Sequence, residues 1–338
     1  MSSTTSASSG TTDTSALARL RHRPVLTFVA RRLWRFVVSL WIVATAAFLM
    51  IHLIPGDPVR AALGINAPVE LVEARREALG LNDPLLTQYW HYLTGVLHGE
   101  FGTSTSSGVP VAQVIGERLP ATVQIAVLAF VVIIVIAVPL GASMAILTRG
   151  GRNRVGELAF TSTSVVLAAI PEFLLAVGLV YVFAVSLAVL PVAGRDAGPP
   201  AYILPVVSLA LGPTAVLARI VRVEMLTVLS NDYIRTARAK RLRPWKIYFR
   251  HALPNALTAT LTLGGLLLTG LVAGTLLVEN VFAWPGLGST IVSSILTRDY
   301  PLVQGIVLVY GAMVLLVTLA VDLLLALLDP RSTIGDPT

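Results

Sequence analysis

Six long apolar stretches, separated by polar segments, dominate the chain. They cover about Phe36–Ile54, Leu119–Leu147, Leu158–Val189, Ile203–Val221, Ala256–Val278 and Pro301–Leu328. At ~1.5 Å per residue, each stretch is long enough as a helix to cross the ~30 Å hydrocarbon core of a bilayer. The pattern therefore predicts an all-α integral membrane protein with about six transmembrane helices.

The composition agrees with a lipid environment. Hydrophobic residues make up 55% of the 338 residues and charged residues only 13%, which is too apolar for a soluble domain. The chain has no cysteine, which excludes disulfides, thiolate nucleophiles and Cys-ligated metal centres. Its net charge of +7 does not indicate nucleic-acid binding, because the cations cluster between the apolar stretches.

The positions of lysine and arginine predict which side of the membrane each segment faces. Nineteen of the 25 cations lie in four alternate segments, and only six lie in the segments between them. By the positive-inside rule, both termini and the loop 222–255 are cytoplasmic. We expect a disordered Ser/Thr-rich tail at 1–18, a basic segment at 19–35, a membrane domain at 36–331 with an outer insert at 56–118, and a tail at 332–338.

The first apolar stretch follows six arginines and so resembles a signal peptide. Its Ala44-Thr45-Ala46 sequence, however, lies in the middle of the stretch, and we therefore expect a retained helix. The outer insert is predicted to form a small helical cap. Ala67-Pro68 can start a first helix, Gly80 can end it, and Leu85–Val96 carries an apolar stripe at helical spacing.

The sequence shows neither a nucleotide-binding P-loop nor a metal-ligand pattern. Lys240 follows Ala239 and Lys246 follows Trp245, so neither lysine belongs to a P-loop, which needs a preceding glycine. His91 and His98 share a helix face but have no carboxylate at metal-site spacing, and we expect no metal site. We therefore predict that the chain is not an enzyme, binds no cofactor of its own, and would depend on a partner to bind any ATP that drives it.

The cytoplasmic segment 231–244 is the most informative part of the sequence. Ser230 or Asn231 can cap a short helix, and Pro244 limits it to about three turns. A helix this short needs a packing partner, such as a groove in another subunit. The alternative is a solvated basic loop that only sets topology.

This segment resembles the EAA loop of ABC importer permeases, and Leu253-Pro254 follows at the expected spacing. Other motifs resemble the dipeptide/oligopeptide permeases, in particular their B-type subunit, and together they cover roughly residues 30 to 331. These motifs are Leu53-Ile54-Pro55-Gly56-Asp57-Pro58, Glu117-Arg118-Leu119-Pro120-Ala121-Thr122, Ile170-Pro171-Glu172-Phe173, the stretch from Glu279 to Gly288, the stretch from Arg298 to Gly305, and Leu328-Asp329-Pro330-Arg331.

The resemblance implies a type I ABC importer permease in the cytoplasmic (inner) membrane of a prokaryote. It implies a second homologous permease subunit, two ATPases that hold ATP and Mg²⁺, an extracytoplasmic peptide-binding protein and a peptide substrate. The residues expected to couple to the ATPases are Asp232, Tyr233, Arg235, Thr236, Ala237, Arg238, Ala239, Lys240, Arg241, Leu242 and Pro254. Arg241 departs from the glycine usual in the family, so the coupling helix is expected to run a residue longer. Arg235 and Thr236 replace the usual Glu and Ala.

Two further groups of residues are candidates for function. Polar or small residues at membrane depth are expected to line the translocation path: Gln124, Glu172, Gly265, Thr269 and Gly270. Gly270 and Gly274 also form a small-xxx-small pair suited to helix packing, and Asp322 is expected to snorkel toward a helix end. Docking of the binding protein is expected at Asp57, Tyr89, Tyr92, Trp284 and Asp299.

Other functions remain open at this stage. A permease of the same ABC family for nickel or another small solute would share these motifs. An ion-coupled secondary transporter would need paired intramembrane carboxylates or interrupted helices, and the sequence predicts neither clearly. A purely structural membrane subunit would not need Ala237 and Pro254 in register.

Overall fold

The computed structural model describes residues 24–53, 58–64, 67–78 and 80–328, and the described part is helical apart from turns and loops. The predicted tails, the start of the basic segment and Asp57 lie outside it. The helices are α1 (Pro24–Leu53), α2 (Pro58–Leu63), α3 (Val69–Ala78), α4 (Leu85–His98), α5 (Val111–Thr148), α6 (Arg154–Ala169), α7 (Glu172–Leu179), α8 (Ile203–Ser230), α9 (Asp232–Ala239), α10 (Leu253–Val281), α11 (Leu287–Leu296) and α12 (Tyr300–Leu328).

The long helices match the predicted apolar stretches. Within the described residues, four helices are long and apolar enough to cross a membrane, namely α1, α5, α8 and α12, and the bent pair of α6 and α7 makes a fifth candidate. The remaining predicted stretch, the fifth along the chain, falls on α10, whose 29 residues include the apolar helical segment Leu267–Val281. Several helices extend beyond their apolar stretch. In particular, α8 continues beyond Val221 to Ser230 and carries Arg222 with it.

The third apolar stretch is not one continuous helix, which corrects the prediction of an uninterrupted span. Helices α6 and α7 meet at 96°. Pro171 causes the break: a proline disfavours helical backbone at the residue before it, and Ile170 is extended with φ −78° and ψ 123°. The chain then restarts as α7 with Glu172 as its first residue and ends in a π-helical turn, Val180–Ser186.

The core of the bundle lies where α5 packs along α8. Their surfaces meet through small residues, because a side chain on Gly141 of α5 would overlap the backbone of Ala218 and the side chain of Val221 on α8. Apolar residues of α5, α7, α8 and α10 form the central cluster, which also includes Phe282 and Trp284. Helix α5 is 38 residues long, about 57 Å, and its two ends carry different structures.

The end of α5 at Val111, called here the cap end, packs against α11 and the start of α12. The expected cap helices are present. Helix α3 begins just after Pro68 and its chain turns at Gly80, where φ is +65°, while α4 contacts α1 through Tyr89 and Phe48. The end of α5 at Thr148, called here the loop end, lies beside α9 and the base of α10.

Helices α1 and α12 are joined by an ion pair. Arg32 and Asp322 approach to 2.5 Å, and both side chains are at least two-thirds buried. The structure adds a partner to the expectation for Asp322: its charge is neutralised by Arg32 within the helix pair.

Candidate coupling helix, translocation path and cap

Helix α9 is short and closed at its C-terminal end by backbone hydrogen bonds. Leu242 donates its N–H to the carbonyl of Ala237 at 3.3 Å, and Arg241 donates to Arg238 at 2.8 Å. This is the Schellman pattern, which places a left-handed residue just after the helix. Arg241 is that residue, with φ +55°. The expectation of a longer helix was therefore wrong: α9 has eight residues, just over two turns, and Arg241 adopts the conformation for which glycine is usual.

The two faces of α9 have different environments. Ile234 and Ala237 are buried and, with half-buried Leu242, pack against Met225 of α8 and Ile247 before α10. The opposite face is open to solvent and consists of predicted coupling residues: Asp232, Tyr233, Arg235, Thr236, Ala239, Lys240 and Arg241. Arg238 is half-buried and donates to the carbonyl of Leu229 at 3.5 Å. Asn231 occupies the N-cap position without a side-chain capping bond.

The chain after α9 adds two exposed aromatic side chains that the sequence analysis missed. Trp245 is 54% exposed and Phe249 is 59% exposed. Tyr233 on α9, in the same loop, is 44% exposed. The signal in the sequence was aromatic residues inside a strongly basic segment. Pro254 is the second residue of α10 and is also exposed. The loop end therefore presents basic and aromatic side chains together, a combination enriched at protein interfaces.

A buried arginine ties three helices together at the loop end, and sequence reasoning missed it. Arg222 of α8 is 7% exposed. It pairs with Glu157 of α6 at 2.6 Å and donates to the hydroxyl of Thr148 at the end of α5, at 2.9 and 3.1 Å. An arginine in a cytoplasmic segment is ordinarily solvated, so only the packing of three helices identifies this one as a bridge.

The predicted path residues do not form one site. Gly265 and Gly264 line an apolar cavity of about 410 Å³ between α5, α8, α10 and α12. A side chain on Gly265 would overlap Val321, whereas one on Gly270 would meet nothing within 4 Å. Thr269 contacts Thr318 of α12 at 3.3 Å.

Glu172 lies apart from that cavity, at the first position of α7. Its carboxylate occupies the space that a side chain on Gly274 would fill. Gly274 of the small-xxx-small pair thus accommodates a carboxylate at the helix break, whereas a side chain added at Gly270 would meet nothing within 4 Å in the described part of the chain.

Gln124 belongs to a polar and aromatic cluster at the cap end. Arg195 donates to Gln124 at 2.9 Å and to the hydroxyl of Tyr202 at 3.0 Å, and its guanidinium lies 5.5 Å from the ring centre of Trp284. Trp284 is completely buried and donates its indole N–H to the carbonyl of Ala121 at 3.1 Å. Its expected role in docking a binding protein is corrected accordingly, because it is a core residue in this conformation.

Asp299 is also completely buried, so it too is corrected from a surface contact to an internal one. Its carboxylate accepts hydrogen bonds from the hydroxyls of Ser104 and Ser106 and from the backbone N–H groups of Thr105 and Ser106. Burial alone would raise the pKa of Asp299, but these hydrogen bonds outweigh it and hold the pKa below its ordinary value. Asp299 thereby fastens the loop after α4 to the start of α12.

The two tyrosines of α4 differ. Tyr89 is half-buried, and its hydroxyl lies 2.7 Å from that of Thr45 on α1. The hydroxyl of Tyr92 is buried and has no hydrogen-bond partner within the part of the chain that the structure describes. Burial, with a smaller contribution from Tyr89, raises the pKa of Tyr92 to about 12.

Among the described residues, no group of three or more His, Asp or Glu side chains is placed to hold a metal ion.

Comparison with known proteins identifies the class of this fold and of these segments. Residues 137–334 match the family described as binding-protein-dependent transport system inner membrane component, and residues 25–126 match its N-terminal counterpart. The glutathione transport system permease protein GsiC of Salmonella typhi is 38% identical over 307 residues, which are 90% of this chain and 98% of that protein. GsiC of Escherichia coli strain K12 is 37% identical over 306 residues, with the same coverage.

Among solved structures, an inward-facing form of the MetNI methionine ABC transporter is similar with a TM-score of 0.52 and 20% identity. The similarity covers 64% of this chain and 97% of that one. At this identity the similarity concerns the fold, which is that of type I ABC importer permeases. The chain belongs to the binding-protein-dependent transport system inner membrane components, the membrane-embedded permease subunits of ABC importers, in which partner ATPases hydrolyse the ATP.

Proposed function

We propose that this chain is the permease subunit of an importer for short peptides, and that α9 is the helix through which partner ATPases move it. The observation that carries the proposal is the division of α9 into two faces. Ile234 and Ala237 are buried against the membrane helices, while Tyr233 and Arg235 are exposed. A helix fixed on one face and free on the other suits a groove in a partner.

The contacts of α9 can transmit its movement to the membrane helices. Its buried face belongs to one apolar cluster with Met225 of α8, Ala252 just before α10 and Ala256 in the first turn of α10. Close-packed side chains do not deform gradually, so a shift of α9 would displace the ends of α8 and α10 with it. Exchange between inward-facing and outward-facing paths then needs no covalent chemistry in this chain. ATP and Mg²⁺ belong to the two ATPases, and this chain binds no cofactor.

The substrate proposal is supported by the relatives. Those with 37–38% identity over nearly their whole length are named as glutathione permeases, and glutathione is a tripeptide. A permease for nickel or another small solute remains the alternative. The break at Ile170–Pro171 is an interrupted helix, as an ion-coupled transporter would have, but Asp322, the other carboxylate singled out in the membrane helices, pairs with Arg32 and not with Glu172.

The other subunits of the proposed assembly would cover surfaces that this chain leaves exposed. A second homologous permease would pair with the apolar helices to enclose the path, and an extracytoplasmic peptide-binding protein would dock at the cap end. The charge distribution supports cytoplasmic termini and a cytoplasmic α9 in the inner membrane.

The test is ATPase stimulation in the reconstituted importer. We expect peptide-loaded binding protein to stimulate the ATPase with the intact chain, and Tyr233→Glu to abolish stimulation while the subunits still reach the membrane. Ala237 is unsuitable for this test, because a charge there would enter the buried cluster. Val155→Glu is the matched control, since Val155 is 78% exposed on α6 at the same end. Failure of any ATPase to co-purify, or equal loss in both variants, would contradict the coupling role.

Uptake into proteoliposomes tests the substrate. ATP-dependent entry of labelled tripeptide supports the proposal. Entry of nickel ions without entry of peptide would establish the alternative.

A further inference from the structure

A cavity of about 390 Å³ lies at the cap end, between the end of α1, helix α4 and the start of α12. It is separate from the apolar cavity that contains Gly265. Its walls include Phe48, Tyr92, Phe101 and Tyr300, and the ring centres of Phe48 and Tyr92 are 5.6 Å apart. A mostly apolar, aromatic pocket of this size with a few polar groups is typical of a small-ligand site.

Two polar side chains on one wall of the cavity, those of His52 and Gln88, already have partners. The two ring nitrogens of His52 contact the carbonyl of Phe48 at 3.0 Å and the side-chain oxygen of Gln88 at 3.3 Å. The amide nitrogen of Gln88 donates to the carbonyls of Leu81 and Asp83 at 3.2 and 2.8 Å. These bonds hold His52 and Gln88 in a fixed arrangement and leave neither side chain a spare donor.

Of the four buried side-chain atoms that have no hydrogen-bond partner among the described residues, two are donors that line this cavity. They are the hydroxyl of Tyr92 and the side-chain nitrogen of Gln304, neither of which has a partner among the described residues. A buried polar atom without a partner is costly, and native proteins rarely leave one. Two of them on one cavity indicate a bound group that accepts hydrogen bonds. With a pKa raised to about 12, the Tyr92 hydroxyl stays protonated and available as a donor.

The charge of the lining restricts what that group can be. Glu100 lines the cavity and is exposed, and no lysine or arginine is among the lining residues described. A phosphate or carboxylate bound at Tyr92 and Gln304 would therefore face no lysine or arginine, only His52 and His91, and one repelling carboxylate. The lining suits a neutral carbonyl next to an apolar side chain, with a positive charge near Glu100. A short peptide with a free amino group has all three.

We propose that this cavity binds a short peptide, whose backbone carbonyl accepts hydrogen bonds from Tyr92 and Gln304 while an apolar side chain lies among the aromatic rings. This proposal depends on the proposed function in one respect only, which is that the cargo is a peptide. Because α1, α4 and α12 each contribute a wall, occupancy would fasten the cap to both membrane helices.

The test is binding of radiolabelled trileucine to the full chain in nanodiscs of neutral lipid, without ATPase or binding protein. We expect saturable binding at one site. Tyr92→Phe removes only the unused hydroxyl and should weaken binding about tenfold, the loss of roughly one hydrogen bond. Tyr89→Phe is the matched control: it removes a hydroxyl one turn away that contacts Thr45 and does not line the cavity, so affinity should stay within about twofold.

Stability measurements distinguish a loss of binding from a loss of folding. Tyr92→Phe removes an unpaired polar atom and should unfold no more readily than the natural chain, whereas Tyr89→Phe loses an existing contact. Absence of saturable binding, equal affinity in Tyr92→Phe, or displacement of trileucine by octanol as readily as by unlabelled trileucine would each overturn the proposal. ATPase stimulation is a separate measurement, so the failure of this site and the failure of the importer function can be told apart.

Discussion

Leu242 donates its backbone N–H to the carbonyl of Ala237 across the end of α9, and Arg241 stands between them in the left-handed conformation. Left-handed backbone costs a residue with a side chain roughly 1–2 kcal/mol. Arg241→Gly removes this cost and should stabilise the C-terminal end of α9 by about 1 kcal/mol. The entropy that glycine gains in the unfolded chain opposes this stabilisation. Hydrogen exchange of the α9 amides measures the effect.

Two further variants separate conformation from charge. Arg241→Asn removes the charge but tolerates the left-handed region, so α9 should exchange no faster than in the natural chain. Arg241→Val should exchange faster, because a β-branched residue is poorly suited to positive φ. Equal exchange in all three variants would show that the conformation at this residue does not limit the helix end.

The bonds to Asp299 predict a strong effect of a small change at the cap end. Asp299→Asn removes the charge from a buried side chain that accepts hydrogen bonds from Ser104, Ser106 and backbone N–H groups. Hydrogen bonds to a charged group contribute about 1.5–3 kcal/mol each, and we expect a loss of about 2 kcal/mol. Proteolysis of the loop 99–110 should accelerate. Asp196→Asn, at an exposed aspartate, is the control and should leave cleavage unchanged.

The lowered pKa of Asp299 predicts the direction of a pH dependence. A carboxyl whose folded pKa lies below its unfolded value of about 4 contributes stability above that value. The contribution is lost as the pH falls through the folded pKa. Protection of the loop 99–110 should thus stay constant from about pH 8 to pH 5 and weaken only below about pH 4. In Asp299→Asn this acid-dependent step should be missing, and its persistence would assign it to another carboxyl.

The sequence predicted the elements whose signals are local. Apolar length identified the spans, and Pro68 and Gly80 marked the first cap helix, because helix starts and stops depend on adjacent residues. The break at Pro171 also has a local signal, but the length of the apolar stretch around it favours one continuous span. The positions of Asp299, Trp284 and Arg222 could not be predicted. Each is buried by segments distant in the sequence, and residue type alone favours the surface for Asp299 and Arg222.

The bridge made by Arg222 predicts unequal effects for its two partners. Glu157→Ala would leave a guanidinium that is 7% exposed without its carboxylate, and removing one partner of a buried pair costs about 3 kcal/mol. Arg222→Leu leaves Glu157, whose side chain is 38% exposed and can be hydrated, so we expect only about 1 kcal/mol. Glu77→Ala, at an exposed residue of α3, should have little effect.

The double variant gives the sharper result. Arg222→Leu with Glu157→Ala should be more stable than Glu157→Ala alone, because no buried charge is left unpaired. Denaturant titration in mixed micelles measures all three. A double variant that loses the sum of the two single effects would mean that the side chains do not interact.

Two glycines of α10 offer a matched pair for the contact between α10 and α12. Both would gain helix propensity from alanine, by about 1 kcal/mol. At Gly265 the added methyl would overlap Val321, whereas at Gly270 it would meet nothing within 4 Å. Overpacking costs about 1–3 kcal/mol, so Gly265→Ala should destabilise the chain while Gly270→Ala leaves it equal or more stable. Adding Val321→Ala to Gly265→Ala should recover part of the loss, because it removes the atoms that overlap. If Gly265→Ala were as stable as Gly270→Ala, α10 and α12 would have to lie farther apart than they do here, and the cavity beside Gly265 would be correspondingly larger.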